Sequence, residues 1–137
     1  MKTVCILAAG LAVTLPAFAK EVEIASFNPA QLHLSGSYCT FERKPHETVL
    51  ASDWVGKYWM KVDGKMIELV SDKAGDEADR QLATKRWHEA LGGPDFKVEL
   101  SFVETTRGED SVTYKGYLDI SRYGFRKRIP VNGGCGA

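Results

Sequence analysis

The sequence predicts a mainly β protein: a small antiparallel β-barrel or sandwich with one short helix and one disulfide. Three observations predict this fold class. Apolar and polar residues alternate with a period of two along most of the chain after residue 20. Turn residues separate roughly seven or eight such short segments. The pair Asp63-Gly64 lies between two alternating runs, which is the strongest short-range signal for a β-hairpin.

Residues 1–19 are typical of a cleavable secretory signal. Lys2 supplies the positive start, Val4–Leu15 is apolar, and Pro-Ala-Phe-Ala at 16–19 matches a small-x-small cleavage site. The alternatives are an uncleaved anchor and a buried helix, but a bilayer span needs about 20 apolar residues. We therefore expect Lys20–Ala137 to remain as a single β-rich domain. It would be periplasmic or secreted, and would not span a membrane.

Composition argues against several classes of partner. The chain has 18 Lys plus Arg and 18 Asp plus Glu, so loss of Lys2 leaves a formal net charge near −1. Nucleic-acid binders usually carry a concentrated basic surplus, and we expect no nucleic-acid partner. The chain has no phosphate-binding loop, dinucleotide fingerprint or Gly-x-Ser-x-Gly motif, and we predict no cofactor.

The two cysteines outside the signal, Cys39 and Cys135, predict one disulfide. In an oxidising compartment two cysteines allow a single intramolecular bridge. That bridge would close a loop of nearly the whole domain, which the chain-entropy model puts at about 4–5 kcal/mol. We interpret it as a staple that holds the end of the chain. The alternative is a redox-active pair, but the Cys-x-x-Cys spacing that lowers a thiol pKa is missing.

The first strands follow from the alternation. Glu21–Ile24 alternates between outward and inward residues, and Asn28-Pro29 predicts a turn. Gln31–Glu42 is predicted as a longer strand with an internal bulge. Lys44-Pro45 ends it, and Glu47–Ala51 is expected to form another short strand.

The hairpin at 57–70 has a register that its two-residue turn determines. Alternate pairs face opposite sides of a sheet, so a single pairing assigns a face to every residue. Met60 and Ile67 then lie on the apolar face, and Trp59 and Lys61 lie on the polar one. The predicted pairs are Val62–Lys65, Lys61–Met66, Met60–Ile67, Trp59–Glu68 and Tyr58–Leu69.

The one helix is expected over Asp76–Leu91. Asp76 can cap it, acidic residues occupy its first turn, and basic residues come late, as the helix dipole favours. Gly-Gly-Pro at 92–94 ends it. Three alternating strands follow in the order Phe96–Phe102, Val112–Ser121 and Tyr123–Val131.

No catalytic or metal-binding residue is assigned. His33, His46 and His88 lie far apart and lack the spacing of metal ligands. The acidic cluster at 72–79 lacks the EF-hand spacing, and helix capping accounts for most of it. Glycoside hydrolysis needs two carboxylates at a fixed separation, which the sequence does not reveal.

The densest run of charge, Arg122–Arg128, is the first candidate contact region. On a strand, Arg126 and Arg128 face one way, while Phe125 and Lys127 face the other. The run could hold an acidic partner, an anionic glycan or a lipid headgroup. The alternative is a solvated edge strand that charge protects from pairing.

Trp59 is the second candidate, because it falls beside Lys61 on the polar face of the hairpin. An exposed Trp often anchors an interface. The alternative is a Trp covered by the predicted helix. The candidate contact residues are Trp59, Lys61, Arg122, Arg126 and Arg128.

The hairpin segment Trp59–Lys65, the apolar strand after it and the ending Gly-Gly-Cys-Gly at 133–136 resemble a group of small uncharacterised exported proteins of Gram-negative bacteria. These proteins carry a similar early Cys, a similar Trp-x-Lys-x-Asp-Gly hairpin and a Gly-Gly-Cys ending. No activity is known for the group. The resemblance implies a periplasmic or secreted location and supports pairing of Cys39 with Cys135.

Lysozyme inhibitors of the membrane-bound C-type-lysozyme-inhibitor kind are also small, exported, disulfide-bonded β domains. Their Ser-Gly-x-x-Tyr loop is not reproduced here, because Ser-Gly-Ser-Tyr at 35–38 is one residue short. The likeness stays an analogy between folds, which does not transfer function.

Three functional hypotheses follow. The first is an exported, non-enzymatic domain that binds another protein or an envelope component. The second is an inhibitor of an extracellular hydrolase such as lysozyme. The third is a small hydrolase, which would depend on one essential carboxylate or His.

Overall fold

The computed structural model confirms a mainly β fold that is nearly all strand. The residues it describes are 10–12, 21–53, 56–71, 86–93 and 95–136. Most of the predicted signal, 1–19, therefore lies outside the described residues. In chain order the strands are β1 (Ile24–Ala25), β2 (Tyr38–Lys44), β3 (Glu47–Ser52), β4 (Lys57–Val62), β5 (Lys65–Ser71), β6 (Arg86–Gly93), β7 (Phe96–Arg107), β8 (Ser111–Arg122) and β9 (Phe125–Gly136).

Strands β2–β9 form a closed, eight-stranded antiparallel barrel. Each strand pairs with its neighbours in chain order, and β9 pairs with β2 to close the ring. The short β1 lies beside β4, where Ile24 opposes Val62, next to the part of β4 that pairs with β3. Of the two predicted architectures, the barrel is the one that forms.

The inside of the barrel is filled by apolar side chains from every barrel strand, as expected for eight strands. Three aromatic rings pack together in this core. Phe102 makes edge-to-face contacts with Phe41 and Tyr114, at centroid distances of 5.4 and 4.8 Å. The described part of the interior is therefore a packed core.

Two glycines make room for these rings. Gly133 opposes Phe41 in the β2–β9 pair, and a Cβ on it would come within 2.4 Å of the Phe41 ring. Gly116 opposes Phe102 in the β7–β8 pair, and a Cβ there would come within 1.9 Å of the Ser101 carbonyl oxygen. Close packing thus explains one glycine of the Gly-Gly-Cys ending.

The predicted disulfide is confirmed. Cys39 and Cys135 are bonded across a sequence separation of 96 residues. They oppose each other directly in the β2–β9 pair. The bridge therefore fastens the one strand pair that closes the barrel.

The register predicted for the 57–70 hairpin is confirmed at all its pairs. Asp63 and Gly64 have φ of 50° and 79°, as a type I′ turn requires. Tyr58, Met60 and Leu69 are buried on the inner face.

The long strand predicted at Gln31–Glu42 is wrong in its first half. Pro29–Leu32 forms a 3₁₀ turn, and β2 begins only at Tyr38. The Asn28 side-chain oxygen accepts a hydrogen bond from the Ala30 amide at 3.0 Å. This local cap, with Pro29 in the first turn, competes successfully with the alternating pattern.

The predicted helix at Asp76–Leu91 is wrong where the structure describes it. Residues 86–91 belong to β6, which pairs with β7 from Arg86–Val103 to Gly93–Phe96. The rest of that prediction, 76–85, lies outside the described residues. Elsewhere in the described ranges, no helix is long and apolar enough to cross a membrane.

Burial of Tyr114 produces a testable pH dependence. Its pKa lies above the ordinary 10.0, mainly because burial disfavours the phenolate, while Arg107 opposes the shift. The pKa is thus higher in the folded than in the unfolded chain. This contribution to stability is complete below pH 10 and is lost as the pH rises through the folded pKa. We expect melting temperature to fall above pH 10, and to fall less in Tyr114→Phe; identical profiles for the two proteins would contradict this.

Candidate functional site

The structure places the five predicted contact residues in three separate regions. Trp59 and Lys61 lie half-buried on the outer face of β4. Arg126 and Arg128 are exposed on β9, and Arg122 lies at the end of β8. Strands β2 and β3 separate β4 from β9 in the barrel. The five residues therefore do not form one surface.

Arg122 is engaged within the protein. Its Nη1 donates to Oδ2 of Asp63 at 2.6 Å, and its side chain is 18% exposed. The other oxygen, Asp63 Oδ1, accepts from the Glu23 amide at 3.0 Å. Arg122 thus ties β8 to the β4–β5 turn and, through Asp63, to the segment before β2, which is a structural role.

Trp59 belongs to a small apolar patch on the β4–β5 hairpin. Met66 and Val70 lie on the same outer face and are 38% and 57% exposed. Lys57 and Glu68 flank them with a 3.9 Å ion pair between exposed side chains. The patch has little net charge, because its ion pair balances, and it offers no charge that would select a ligand.

The outer face of β7, β8 and β9 is the strongest candidate site. Two of its rows run straight across the strands: Lys97, Ser121 and Arg126 form one, and Glu99, Asp119 and Arg128 form the next. Tyr117 lies beyond the second row and is 47% exposed. We call this surface the basic face: Lys97, Glu99, Tyr117, Asp119, Ser121, Arg126 and Arg128.

Arg128 is held in a fixed position on the basic face. Its Nε donates to Asp119 Oδ1 at 2.7 Å and its Nη2 donates to Oδ2 at 3.1 Å. The guanidinium carbon also lies 5.0 Å from the centre of the Tyr117 ring, a cation–π distance. The bond to Asp119 raises the pKa of Arg128. The arrangement orients the ring and the guanidinium without using up the exposed surface of either.

Arg126 and Lys97 supply the positive surplus. Both are exposed, and neither makes an ion pair within the part of the chain that the structure describes. Both lie beside Ser121, whose side chain carries no charge. The row therefore presents two cations to an incoming anion.

Tyr123 extends the basic face at the β8–β9 turn. Tyr123 and Gly124 have φ of 44° and 83°, a pair of left-handed residues in a type I′ turn. Asn, Asp and Gly suit the first of these positions, and a bulky ring there is unusual. Tyr123 is nevertheless 75% exposed, and its hydroxyl bonds to Asp95, which raises the Tyr123 pKa. The ring therefore buries little surface on folding.

Two shallow grooves run along this surface and share Ser121 and Arg126. One, of about 460 Å³, lies among Glu99, Asp119, Arg126 and Arg128. The other, of about 440 Å³, continues past Arg126 between the β6–β7 and β8–β9 turns, beside Tyr123. Because the grooves share lining residues, they are adjacent on the surface.

The sequence prediction included Arg126 and Arg128 but missed Lys97, Tyr117 and Tyr123. The register of β7 and β8 against β9 brings Lys97 and Tyr117 into place, and no local signal announces this. Tyr123 could have been found, because Tyr-Gly between two alternating runs places an aromatic residue in a tight turn.

The basic face combines several kinds of polar and aromatic group. It offers cations, carboxylate oxygens, a hydroxyl and two exposed phenol rings. In the described ranges, no three His, Cys, Asp or Glu residues are close enough to hold a metal ion.

No protein-family model, curated protein or solved structure matches the chain. Its function is therefore inferred from the residues of the site.

The unusual turn makes a prediction for stability. Replacing Tyr123 with Asn should raise the melting temperature by about 3 °C, since Asn tolerates the left-handed conformation and Asn-Gly is a favoured type I′ pair. Thermal unfolding followed by circular dichroism measures this. The matched control is Tyr117→Asn, which lies in a strand and should not gain stability. A lower melting temperature for Tyr123→Asn would show that the ring supports the fold.

Proposed function

We propose that the protein is an exported, non-enzymatic binding domain that acts in the periplasm or outside the cell. Its basic face would bind an anionic partner, either a protein or an envelope component. The observation that carries the proposal is the surplus of positive charge at Arg126 and Lys97, flanked by exposed aromatic rings.

Export has two supports. Residues 1–19 have the pattern of a cleavable signal. The Cys39–Cys135 disulfide fits an oxidising compartment, where such bonds form and persist. An exported domain of this kind meets its partner outside the reducing cytoplasm.

The distribution of charge supports an anionic partner. The whole chain has a formal net charge of +0, yet the basic face concentrates cations on one side of the barrel. A local surplus of this kind attracts anions over about 8–10 Å at ordinary ionic strength and speeds their association. The exposed rings of Tyr117 and Tyr123 would add apolar contact once the partner is bound.

The test is capture of partners by the domain Lys20–Ala137 from envelope extract and from host secretions. The variant Lys97→Gln/Arg126→Gln should lose at least about tenfold in affinity for a captured partner, and binding by the original protein should weaken with salt. The control Lys57→Gln/Lys65→Gln removes the same charge elsewhere and should bind normally. Equal binding by both variants would reject the basic face as the contact surface.

An inhibitor of an extracellular hydrolase is a second candidate, favoured by the β7–β8 turn. Residues 107–111 are exposed at its tip, where the Gly108 amide bonds to the Ser111 carbonyl at 2.8 Å. Next to the turn, Arg107 donates two hydrogen bonds to the Glu104 carboxylate. Its Nε lies 2.7 Å from Oε1 and its Nη2 lies 3.2 Å from Oε2. A firm, narrow tip of this kind would suit insertion into an enzyme cleft. Capture of a hydrolase, with loss of its activity, would support this candidate.

A further inference from the structure

We propose that the basic face binds an anionic polysaccharide, a chain of sugars that carry carboxylate or phosphate groups. This inference rests on the proposed function and names the partner. Four features of the face support it: two cations without an ion pair in the described chain, carboxylates beside them, exposed rings at both ends, and two adjacent grooves.

The cations would bind the acidic groups of the sugar chain. Arg126 makes no ion pair within the described chain and would bind an acidic group directly. Arg128 lies two residues along the same strand, about 7 Å away, where it already holds Asp119 and adds only its remaining N–H groups. Lys97 lies in the same row as Arg126. A guanidinium fork matches a carboxylate or a phosphate group in geometry and charge.

The carboxylates distinguish a sugar chain from a simple anion. Glu99 lies beside Asp119 in the same groove, and within the described chain it makes no ion pair. An ionised carboxylate only accepts hydrogen bonds, so it repels a bare anion and binds a hydroxyl group. A ligand that carries both acidic groups and hydroxyl groups would satisfy the cations and Glu99 together.

The two tyrosines would support the apolar faces of sugar rings. Tyr117 is 47% exposed and Tyr123 is 75% exposed. The C–H groups on one side of a sugar ring pack against a phenol ring, and a Tyr hydroxyl adds a polar end. Tyr123 occupies a backbone conformation that suits few aromatic residues, which is explained if the ring serves binding.

Two grooves lie next to each other on this surface. Their volumes are about 460 and 440 Å³, and they share Ser121 and Arg126. Each is of the size that holds a small ligand. Two adjacent grooves of this size favour several linked sugars over a single compact molecule. An acidic protein partner would not need Glu99 to accept hydrogen bonds from hydroxyl groups. Binding of such a protein instead of a glycan is one outcome of the test.

The test measures binding of Lys20–Ala137 to oligogalacturonate and to a phosphorylated mannan by isothermal titration calorimetry. The two probes distinguish carboxylate from phosphate as the anionic group. Matched controls are methyl-esterified oligogalacturonate, which lacks the charge, polyglutamate, which lacks the hydroxyl groups, and inorganic phosphate. We expect at least one anionic glycan to bind and each control to bind at least about tenfold more weakly.

Variants assign the binding to the basic face. Arg126→Gln should weaken it about tenfold, and Tyr123→Asn should weaken it while raising the melting temperature, so that loss of binding cannot be ascribed to unfolding. Lys57→Gln on the opposite side should bind normally.

Two results would overturn the inference: binding of neither glycan, or polyglutamate binding as tightly as the glycans. Either result would reject the polysaccharide but not the proposed function, which the capture experiment tests separately. If Arg126-dependent capture of an acidic protein succeeds, the binding domain stands and the polysaccharide is excluded. If the glycans bind but Arg126→Gln and Tyr123→Asn do not weaken them, the basic face is wrong for both proposals.

Discussion

Removal of the disulfide is expected to lower the free energy of unfolding by about 4–5 kcal/mol. The change is Cys39→Ala together with Cys135→Ala, since alanine avoids burying a hydroxyl group at the fully buried Cys39. The bond closes a loop across a separation of 96 residues, so the unfolded chain loses much entropy when it is present. Denaturant unfolding of the oxidised protein and of the variant measures the difference.

The reduced wild-type protein is the matched control, because it breaks the bond without changing the side chains. It should lose a similar amount of stability. Small domains are stable by about 5–15 kcal/mol, so the loss is a large share of the total. A loss below about 1 kcal/mol in both proteins would mean that strand pairing alone keeps the barrel closed.

Gly116→Ala is expected to lower the free energy of unfolding by about 3 kcal/mol or more. The added Cβ would lie 1.9 Å from the Ser101 carbonyl oxygen and 2.7 Å from the Phe102 Cα. Both are backbone atoms of the neighbouring strand, so no side-chain rotation can relieve the overlap. Strands β7 and β8 would have to separate locally, and the packing of Phe102 would suffer.

Gly134→Ala is the control for this prediction. A Cβ there would approach the Val112 carbonyl oxygen at 3.5 Å, an ordinary contact. Gly134 also lies in a paired strand, β9, so both changes replace a strand glycine with alanine. If denaturant unfolding gives the same stability for the two variants, the close packing at Gly116 is refuted.

The parts of the fold that the sequence predicts are those with local causes. Asp63-Gly64 determines the β4–β5 register within a few residues, and the observed pairs agree at each position. The alternation in β7 and β8 likewise belongs to single segments. Buried positions recur at every second residue from Phe96 to Phe102 in β7, and Tyr114, Leu118 and Ile120 lie on one face of β8.

The sequence predictions fail where pairing with a strand distant in the sequence determines the local structure. The charge order at Asp76–Leu91 suits a helix, but residues 86–91 pair with β7 in an unbroken register. The last strand was predicted to end at Val131 and continues to Gly136. Pro130 suggests an ending, yet β2 joins β9 only from Asn132 onward, so the proline lies where β9 has one partner strand.

The residues of the candidate site also fall into two groups, those that a local pattern predicts and those that distant pairing brings together. The outward direction of Arg126 and Arg128 follows from strand alternation and agrees with the structure. The pairing of Arg122 with Asp63 joins residues 59 positions apart, which local patterns do not predict. Likewise, Lys97 joins the basic face only because three strands align in one register.

Closure of the barrel by β2 and β9 has a consequence for the timing of folding. β2 is the first barrel strand in the chain and β9 is the last, so the closing contacts have the greatest sequence separation in the ring. Contacts between residues far apart in the sequence form slowly, because a long loop must close before any stabilising interaction is gained. The hairpins can form early, because each joins strands that are adjacent in the chain, but the ring cannot close before β9 is available. Until then one edge of β2 is unpaired. Because this edge stays exposed longest, it is where a chaperone that binds extended segments would have the most time to bind.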